Sequence, residues 1–317
     1  MYSIVEYIRM GGHTMELQAL QAAMKGIYVL AITPMREDGS LDLDALRSNI
    51  ETYLEAGVHG VVVGGTFAEY PSMSMEERAA LFAAAAEAVG GKVPLICCTA
   101  ASGTPEAIAL TKAAKAAGAD GAMITPPYVA EVGHADIKRH FESIIEAVPF
   151  PIMIYNSTSI GLNLSPEQLA ELAELDYVIG VKQANTDLHV QAKTMALAGD
   201  KMSILNGSDG VILGALALGM HGCTSTLANL IPGDYVSLYK LVERGELAAA
   251  RKLYYSWQPI RDFCKKHGQP AAIKTAMEVA GLKAGAVRVP FRSLGSEAVE
   301  EFKVIWETYR KENEVHV

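Results

Sequence analysis

Short runs of apolar and β-branched residues alternate with longer segments of helical periodicity along most of this chain, and this alternation constrains the fold most strongly. Such a series of strand and helix units predicts a parallel sheet with crossover helices. We place eight strands, at residues 28–32, 60–63, 93–97, 121–124, 152–155, 178–181, 202–205 and 221–224. Helices are expected between them, among others over residues 42–55, 75–89, 105–117, 134–147 and 209–218.

A short internal repeat indicates that these units are equivalent. Residues 55–60, 116–121 and 217–222 each carry a glycine at the end of a predicted helix and lead into a predicted strand. Glycine suits the positive φ that closes many helices. Because nearly continuous apolar strands are typical of sheets buried on both faces, we predict an α/β fold, a closed (β/α)8 barrel of the TIM type over residues 25–245. An open, doubly wound sheet is the alternative.

The two ends of the chain show no strand pattern of this kind. Residues 246–317 are predicted to form a C-terminal helical extension packed on the barrel, so that the chain makes one structural domain. Residues 1–24 are predicted to be an N-terminal extension. It mixes charged residues with short apolar pieces and lacks the uninterrupted apolar region of a signal peptide or a membrane anchor. We assign it no role.

Charge and cysteine content narrow the class of protein. A net charge of −9 provides no basic surface, so neither nucleic acid nor an anionic membrane is an expected partner. The four cysteines show neither zinc-ligand spacing nor a disulfide framework, which fits a reducing cytoplasm. The eight histidines show no clustered ligand spacing, so no metal site is predicted. These features favour a cytoplasmic protein that acts on small molecules.

Polar residues that follow the strands are the candidates for chemistry, because the reacting groups of such barrels gather at the C-terminal ends of strands. Lys182 follows an apolar strand, and burial favours the neutral amine that attacks carbonyl groups. Tyr155 ends the preceding strand and can transfer protons beside Lys182, while Thr66 follows the second strand. Position alone also allows structural roles: a lysine that reaches solvent, a rim tyrosine and a turn-capping threonine.

Three ordered motifs carry a family resemblance. The segments Gly-Thr-Phe-Ala-Glu at 65–69, Tyr-Asn at 155–156 and Gly-Val-Lys at 180–182 resemble those of the class I aldolase family that includes dihydrodipicolinate synthase and N-acetylneuraminate lyase. The resemblance extends from Gly26 to Phe291. It implies a lyase in which Lys182 forms a Schiff base with pyruvate or a related 2-oxo acid. Tyr155 would then move protons and Thr66 would complete the relay, with no metal or organic cofactor.

The same resemblance carries expectations about partners. Tyr128, in a Thr-Pro-Pro-Tyr segment, resembles a tyrosine that family members deliver into the neighbouring active site across a tight dimer interface. A homotetramer, a dimer of dimers, is therefore implied. The second substrate would be an aldehyde. The reaction would be an aldol cleavage or condensation, or a hydration or dehydration.

Some residues depart from the family pattern. Phe67 replaces the second hydroxyl residue of the first motif, which then resembles that of hydratase-aldolases acting on arylidene-pyruvates. Such a ring suits a less polar aldehyde. No arginine follows Tyr155 within residues 156–161, which argues against aspartate semialdehyde as the partner. Asp209 is followed by Gly210 and not by a second acidic residue, which argues against sialic acid.

Substrate-binding groups are expected in two places. Gly65 and the backbone N–H groups of Thr66 and Phe67 are predicted to hold the 2-oxo acid carboxylate. Residues after the last two strands are predicted to recognise the rest of the substrate, namely Asn206, Gly207, Asp209 and Thr226. Asp209 fits a helix N-cap equally well.

Other functions stay open from the sequence. The segments 207–210 and 222–226 also fit a phosphate-binding barrel isomerase or synthase. Phe67 and Ala68, which depart from the family motif, also suggest a protein that binds a 2-oxo acid without turning it over, a non-catalytic 2-oxo acid sensor. A dihydrodipicolinate synthase proper is the third alternative.

Overall fold

The computed structural model describes residues 17–128, 131–160 and 163–313, and residues 1–16 of the predicted N-terminal extension lie outside this range. Eight parallel strands pair in sequence order and close into a barrel. The strands are β1 Gly26–Leu30, β2 Gly60–Val63, β3 Leu95–Cys98, β4 Gly121–Ile124, β5 Ile152–Asn156, β6 Val178–Gln183, β7 Ser203–Asn206 and β8 Gly222–Ser225. This confirms the (β/α)8 barrel and rejects the open sheet.

Helices surround the barrel and follow it. They are α1 Leu17–Ala23, α2 Leu43–Glu55, α3 Met75–Val89, α4 Thr104–Ala117, α5 His134–Ala147, α6 Pro166–Leu172, α7 Leu188–Ala198, α8 Ile212–Ala217, α9 Pro232–Glu243, α10 Leu247–Ser256, α11 Gln258–His267, α12 Ala271–Val279 and α13 Ser296–Asn313. Helix α10 packs on α8 and α9, while α11, α12 and α13 pack together. Within the described ranges, no helix combines the length and the apolar character that crossing a membrane requires.

The barrel interior is a packed apolar cluster, closed at its N-terminal end by α1. Its buried members include Tyr28, Leu30, Val62, Ile96, Cys98, Met123, Met153, Tyr155, Ile179 and Leu205. Leu20 and Met24 belong to the same cluster, and the Tyr28 hydroxyl donates to the Ala23 carbonyl at 3.1 Å. The described part of the N-terminal extension therefore closes the bottom of the barrel, a role that the sequence did not indicate.

The internal repeat forms the turns that lead into β2, β4 and β8. Each turn places a side chain that accepts a hydrogen bond from the backbone of the neighbouring strand. The bonds are Ile27 N to His59 Nδ1 at 3.1 Å, Leu95 N to Asp120 Oδ2 at 2.8 Å and Ile204 N to His221 Nδ1 at 3.0 Å. Burial lowers the pKa of both histidines, which favours the neutral ring that accepts. The repeat thus ties strands together at the face opposite the candidate site.

The first strand lies earlier than predicted, over Gly26–Leu30 and not 28–32. The reason is the buried side chain of Asn229, which follows β8. Its amide donates to the Leu30 carbonyl at 2.8 Å and accepts from the Ile32 N–H at 2.9 Å. A side chain therefore replaces strand pairing where the prediction extended β1.

Candidate active site

Tyr155 and Lys182 are register partners on adjacent strands β5 and β6. Both are buried, with 3% of Tyr155 and 4% of Lys182 exposed. The Lys182 Nζ atom lies 4.1 Å from the centroid of the Tyr155 ring. Because parallel strands in register present the same face at the same height, the pairing itself brings the amine and the phenol together.

Thr66 reaches the same place from the other side of the barrel mouth. It begins a 3-10 turn, Thr66–Ala68, directly after β2. Its Oγ1 atom lies 3.1 Å from the Tyr155 hydroxyl, at hydrogen-bonding distance. Three residues predicted from the sequence therefore lie together, with the Thr66 hydroxyl at the phenol oxygen and the Lys182 amine over the phenol ring.

Gly207 lies against the lysine and makes room for it. A Cβ atom at this position would lie 3.1 Å from Lys182 Cε and 2.9 Å from Ala184 Cβ. Any other residue at position 207 would crowd the lysine stem. Gly207 thus leaves space for the lysine stem, while its predicted contact with substrate stays a prediction.

Asn156 and Gln183 support the pair from behind. Each follows a site residue directly, so the alternation of strand side chains turns it to the opposite face. The Asn156 amide donates to Gln183 Oε1 at 2.8 Å, and Gln183 Nε2 donates to Thr194 Oγ1 at 3.3 Å. Sequence reasoning left Gln183 unassigned, although this alternation could have identified it as a supporting residue.

Glu69, the last residue of the Thr66 motif, forms a buried ion pair that the sequence did not predict. Its carboxylate lies 2.7 Å from the ammonium of Lys274 on α12, and the two side chains are 0% and 2% exposed. The backbone N–H of Arg288 donates to the other carboxylate oxygen at 2.8 Å. Burial lowers the pKa of Lys274 although the bond to Glu69 acts in the opposite direction. The C-terminal region is thereby fixed to the turn that carries Thr66.

Arg288 extends this connection to the loop that leads into α3. Its guanidinium donates to the Gly39 carbonyl at 2.6 Å, to the Ser72 carbonyl at 2.7 Å and to Glu77 at 2.8 Å. Glu77 also belongs to the capping box that begins α3. Both ends of the segment from Glu69 to α3 are therefore held by residues 274–288.

Phe67 and Tyr128 lie at the outer rim, and each is 42% exposed. The Tyr128 hydroxyl lies 3.4 Å from the hydroxyl of Tyr70, which follows the Thr66 motif. Burial raises the pKa of Tyr70, and its ring lies under the Arg78 guanidinium at 4.9 Å. The two predicted residues thus occupy the surface beside the turn and not the interior beside Lys182.

Asn206, Asp209 and Thr226 are largely engaged within the protein. The Asn206 amide donates to Gln191 Oε1 at 3.0 Å and accepts from the Ser208 N–H at 2.9 Å. Thr226 is 4% exposed, and its carbonyl accepts from Asn229. Their contact with substrate stays a prediction.

The Asp209 carboxylate points towards β8 and α9. It accepts from Ser225 Oγ at 2.6 Å and from the Tyr235 hydroxyl at 2.7 Å. Burial raises the pKa of Asp209, against these hydrogen bonds. The alternative role as a helix N-cap is wrong, because α8 begins at Ile212 with Val211 as its N-cap, and not at 209 as predicted.

Known proteins resemble this chain in sequence. Residues 23–308 match the model of the dihydrodipicolinate synthetase family. A 4-hydroxy-tetrahydrodipicolinate synthase of Methanoculleus marisnigri is 35% identical over 285 residues, which cover 89% of this chain and 98% of that protein. An uncharacterized DapA-like lyase of Rhizobium meliloti is 34% identical over 275 residues, which cover 86% of this chain and 91% of that protein.

Solved structures resemble it as well. A dihydrodipicolinate synthase from Aquifex aeolicus superimposes with a TM-score of 0.86 at 27% identity, covering 90% of this chain and 98% of that one. The Escherichia coli K12 prophage protein YagE, solved in complex with pyruvate, superimposes with a TM-score of 0.86 at 27% identity, covering 90% and 99%. The likeness therefore covers the barrel and most of the C-terminal region.

We expect Lys274→Met to destabilise the protein strongly, because it leaves the Glu69 carboxylate buried without its cation. Removing one partner of a buried ion pair costs about 3–5 kcal/mol. The double variant Glu69→Gln with Lys274→Met should recover part of this loss, because neither charge then remains. Urea unfolding of the full chain measures both.

Arg47→Met is the matched control, since it breaks the exposed ion pair with Glu87, 2.9 Å long, and should change the free energy of unfolding little. Equal stability of Lys274→Met and Arg47→Met would contradict the role assigned to the buried pair.

Proposed function

The chain belongs to the dihydrodipicolinate synthetase family and is a lyase of the aldolase type, and we propose that Lys182 forms its Schiff base with pyruvate or a related 2-oxo acid. The observation that carries this proposal is the register pairing of Tyr155 with Lys182, with the amine 4.1 Å from the centroid of the phenol ring and Thr66 3.1 Å from the phenol oxygen. A buried amine beside a proton-transfer group is the arrangement that imine formation needs.

The first half of the reaction joins the amine to the 2-oxo acid. Lys182 Nζ attacks C2, and the proton that leaves the nitrogen reaches the carbinolamine oxygen by way of the Tyr155 hydroxyl. Loss of water then gives the imine. The N–H groups of Thr66 and Phe67 have no hydrogen-bond partner among the described residues and are available to the substrate carboxylate.

The second half uses the imine as an electron sink. Loss of a proton from C3 gives an enamine, whose C3 attacks the carbonyl carbon of an aldehyde or whose electrons expel a β-hydroxyl group. Water then hydrolyses the imine and frees Lys182. The reverse sequence of steps is an aldol cleavage or a hydration.

The names of relatives favour a second candidate, 4-hydroxy-tetrahydrodipicolinate synthase. Against it, residues 156–161 provide no arginine to bind the carboxylate of aspartate semialdehyde after Tyr155. We therefore expect slow condensation of pyruvate with aspartate semialdehyde compared with other aldehydes in a turnover panel. A clear preference for aspartate semialdehyde would establish the second candidate.

We also propose that the chain forms a homotetramer of paired dimers, in which Tyr128 contributes to a neighbouring active site. The exposure of Tyr128 and Phe67 at the rim, 42% for each, supports this. Sedimentation velocity should give a tetramer for the full chain and a smaller species for Tyr128→Ala. A wild-type monomer would contradict the proposal.

Borohydride reduction tests the Schiff base directly. Incubation with pyruvate and borohydride should add one reduced pyruvyl group, mapped to Lys182 by peptide mass spectrometry. Lys182→Met should show no adduct, while Lys252→Gln, at an exposed lysine of α10, should trap normally. If no 2-oxo acid leaves an adduct at Lys182, the lyase mechanism is wrong.

Tyr155→Phe separates chemistry from packing in the same experiment, because it keeps the ring and removes only the hydroxyl. Loss of a positioned proton-transfer group lowers a rate by about 10²–10⁴. The rate of trapping should therefore fall, with the folded state intact by circular dichroism. Tyr255→Phe, at a tyrosine 62% exposed, is the control and should trap at the wild-type rate.

A further inference from the structure

A surface cavity of about 480 Å³ lies between α12 and α13 in the C-terminal region. Its walls are one face of α12, the connecting segment 285–294 and the first turns of α13. The volume lies within the range of cavities that bind small molecules. No residue predicted for the candidate active site lines it, so the cavity is a separate feature of the molecule.

The walls of this cavity offer apolar surface to a ligand. Val279 and Leu294 pack against the hydrophobic core, and Val287 and Val299 are half-buried in the same walls. A ligand that covers such side chains gains free energy, because their remaining exposed area is removed from water. The cavity therefore favours a ligand with an apolar body.

Two of the three charged side chains in the walls already have an ion partner. Lys274 lies 2.7 Å from Glu69, and Lys303 lies 2.7 Å from Glu300 on α13. The third, Glu278, forms no ion pair among the residues that the structure describes. One negative charge of the cavity is therefore not matched by an ion pair.

Glu278 keeps one carboxylate oxygen free. Its Oε1 atom accepts from the N–H groups of Ala284 and Gly285 at 2.7 Å each, while Oε2 has no hydrogen-bond partner in the described chain. Burial lowers the pKa of Lys274, whereas Glu69 and Glu278 both act to raise it. Lys274 thus interacts with two carboxylates, and the three groups together carry an excess negative charge.

Thr275 provides a second acceptor on the same face of α12. It lies three residues before Glu278, the spacing that places helical side chains next to each other. Within the described ranges, neither the Thr275 hydroxyl nor that of Ser293 in the connecting segment has a hydrogen-bond partner. An ammonium group has three donors and no acceptor, so a carboxylate oxygen and hydroxyl groups match it.

We propose that this cavity binds a small primary amine with an apolar body, whose ammonium group is held by Glu278 and Thr275. The apolar body lies against Val279 and Leu294. The site goes beyond the proposed lyase activity and does not depend on the Schiff base. Because Lys274 belongs both to this cavity and to the ion pair with Glu69, a bound amine adds a positive charge close to the pair that fixes the Thr66 turn.

Three ligands with the same phenylbutyl body test which charge is recognised: 4-phenylbutylamine, 4-phenylbutan-1-ol and 5-phenylpentanoate. Isothermal titration calorimetry of the full chain at neutral pH gives their dissociation constants. The amine should bind about fivefold more tightly than the alcohol, the upper end for an exposed ion pair, and the carboxylate should bind most weakly. Equal binding of all three would reduce the cavity to an apolar surface and overturn the proposal.

Glu278→Gln is the matched variant, because its amide oxygen still accepts from Ala284 and Gly285 while the charge is lost. The amine should then bind within about twofold of the alcohol, whose own affinity should not change. Glu307→Gln, at an exposed carboxylate of α13, removes equal charge and should keep the preference for the amine. A preference that survives in Glu278→Gln would contradict the proposal.

Two further variants locate the site. Val299→Phe reduces the volume of the cavity and should weaken the binding of amine and alcohol alike, with the folded state checked by circular dichroism. If it does not fold, Glu278→Gln still decides. Lys182→Met should bind the amine as wild type does, whether or not Lys182 forms a Schiff base. Loss of the amine in Lys182→Met would place it in the candidate active site and overturn the proposal.

Discussion

The buried ion pair between Glu69 and Lys274 is the interaction on which the site depends most. Two charges with 0% and 2% exposure are tolerated only in mutual contact, because each alone loses its hydration without compensation. Glu69 holds a left-handed φ of 65°, sparsely populated for a residue other than glycine, at the end of the turn that Thr66 begins. The pair therefore fixes the turn, and the turn fixes the distance between Thr66 and Tyr155. The C-terminal helices are in this sense part of the structure of the candidate site.

The register of the barrel strands positions the other residues of the candidate site. Tyr155 and Lys182 need no loop to meet, since β5 and β6 pair them directly. Asn156 and Gln183 support them on the face of the sheet that packs against the helices. Gly207 leaves space for the lysine stem on the opposite face. A site held by strands and buried hydrogen bonds is preorganised, so the proposed attack of Lys182 on a carbonyl would need little reorganisation. The turn at Thr66 is the component that depends on tertiary contacts.

The apolar periodicity of the chain predicted the strands, and the three sequence motifs predicted the positions of Lys182, Tyr155 and Thr66. Both succeeded because strand alternation and register are local properties. The contacts of Glu69 could not be predicted in this way, since Arg288 lies 219 residues away and no periodicity relates them. The predicted bounds of β1 and α8 were wrong for a similar reason, because contacts with distant residues decide where these elements begin and end. The Asn229 side chain replaces strand pairing after β1, and Asp209 accepts from Ser225 and does not cap a helix. Beyond a strand, alternation no longer indicates which way a polar side chain turns.

The loop between β7 and α8 bears on the phosphate-binding alternative that the sequence left open. Its glycines and Ser208 fitted a phosphate site built from backbone N–H groups. Those donors are in part occupied, because Ser208 N donates to Asn206 and Val211 N to the Ser208 carbonyl, and α8 has only 6 residues. The loop therefore provides fewer free backbone N–H groups than a phosphate site of this kind needs, and this favours the lyase over a phosphate-binding isomerase or synthase.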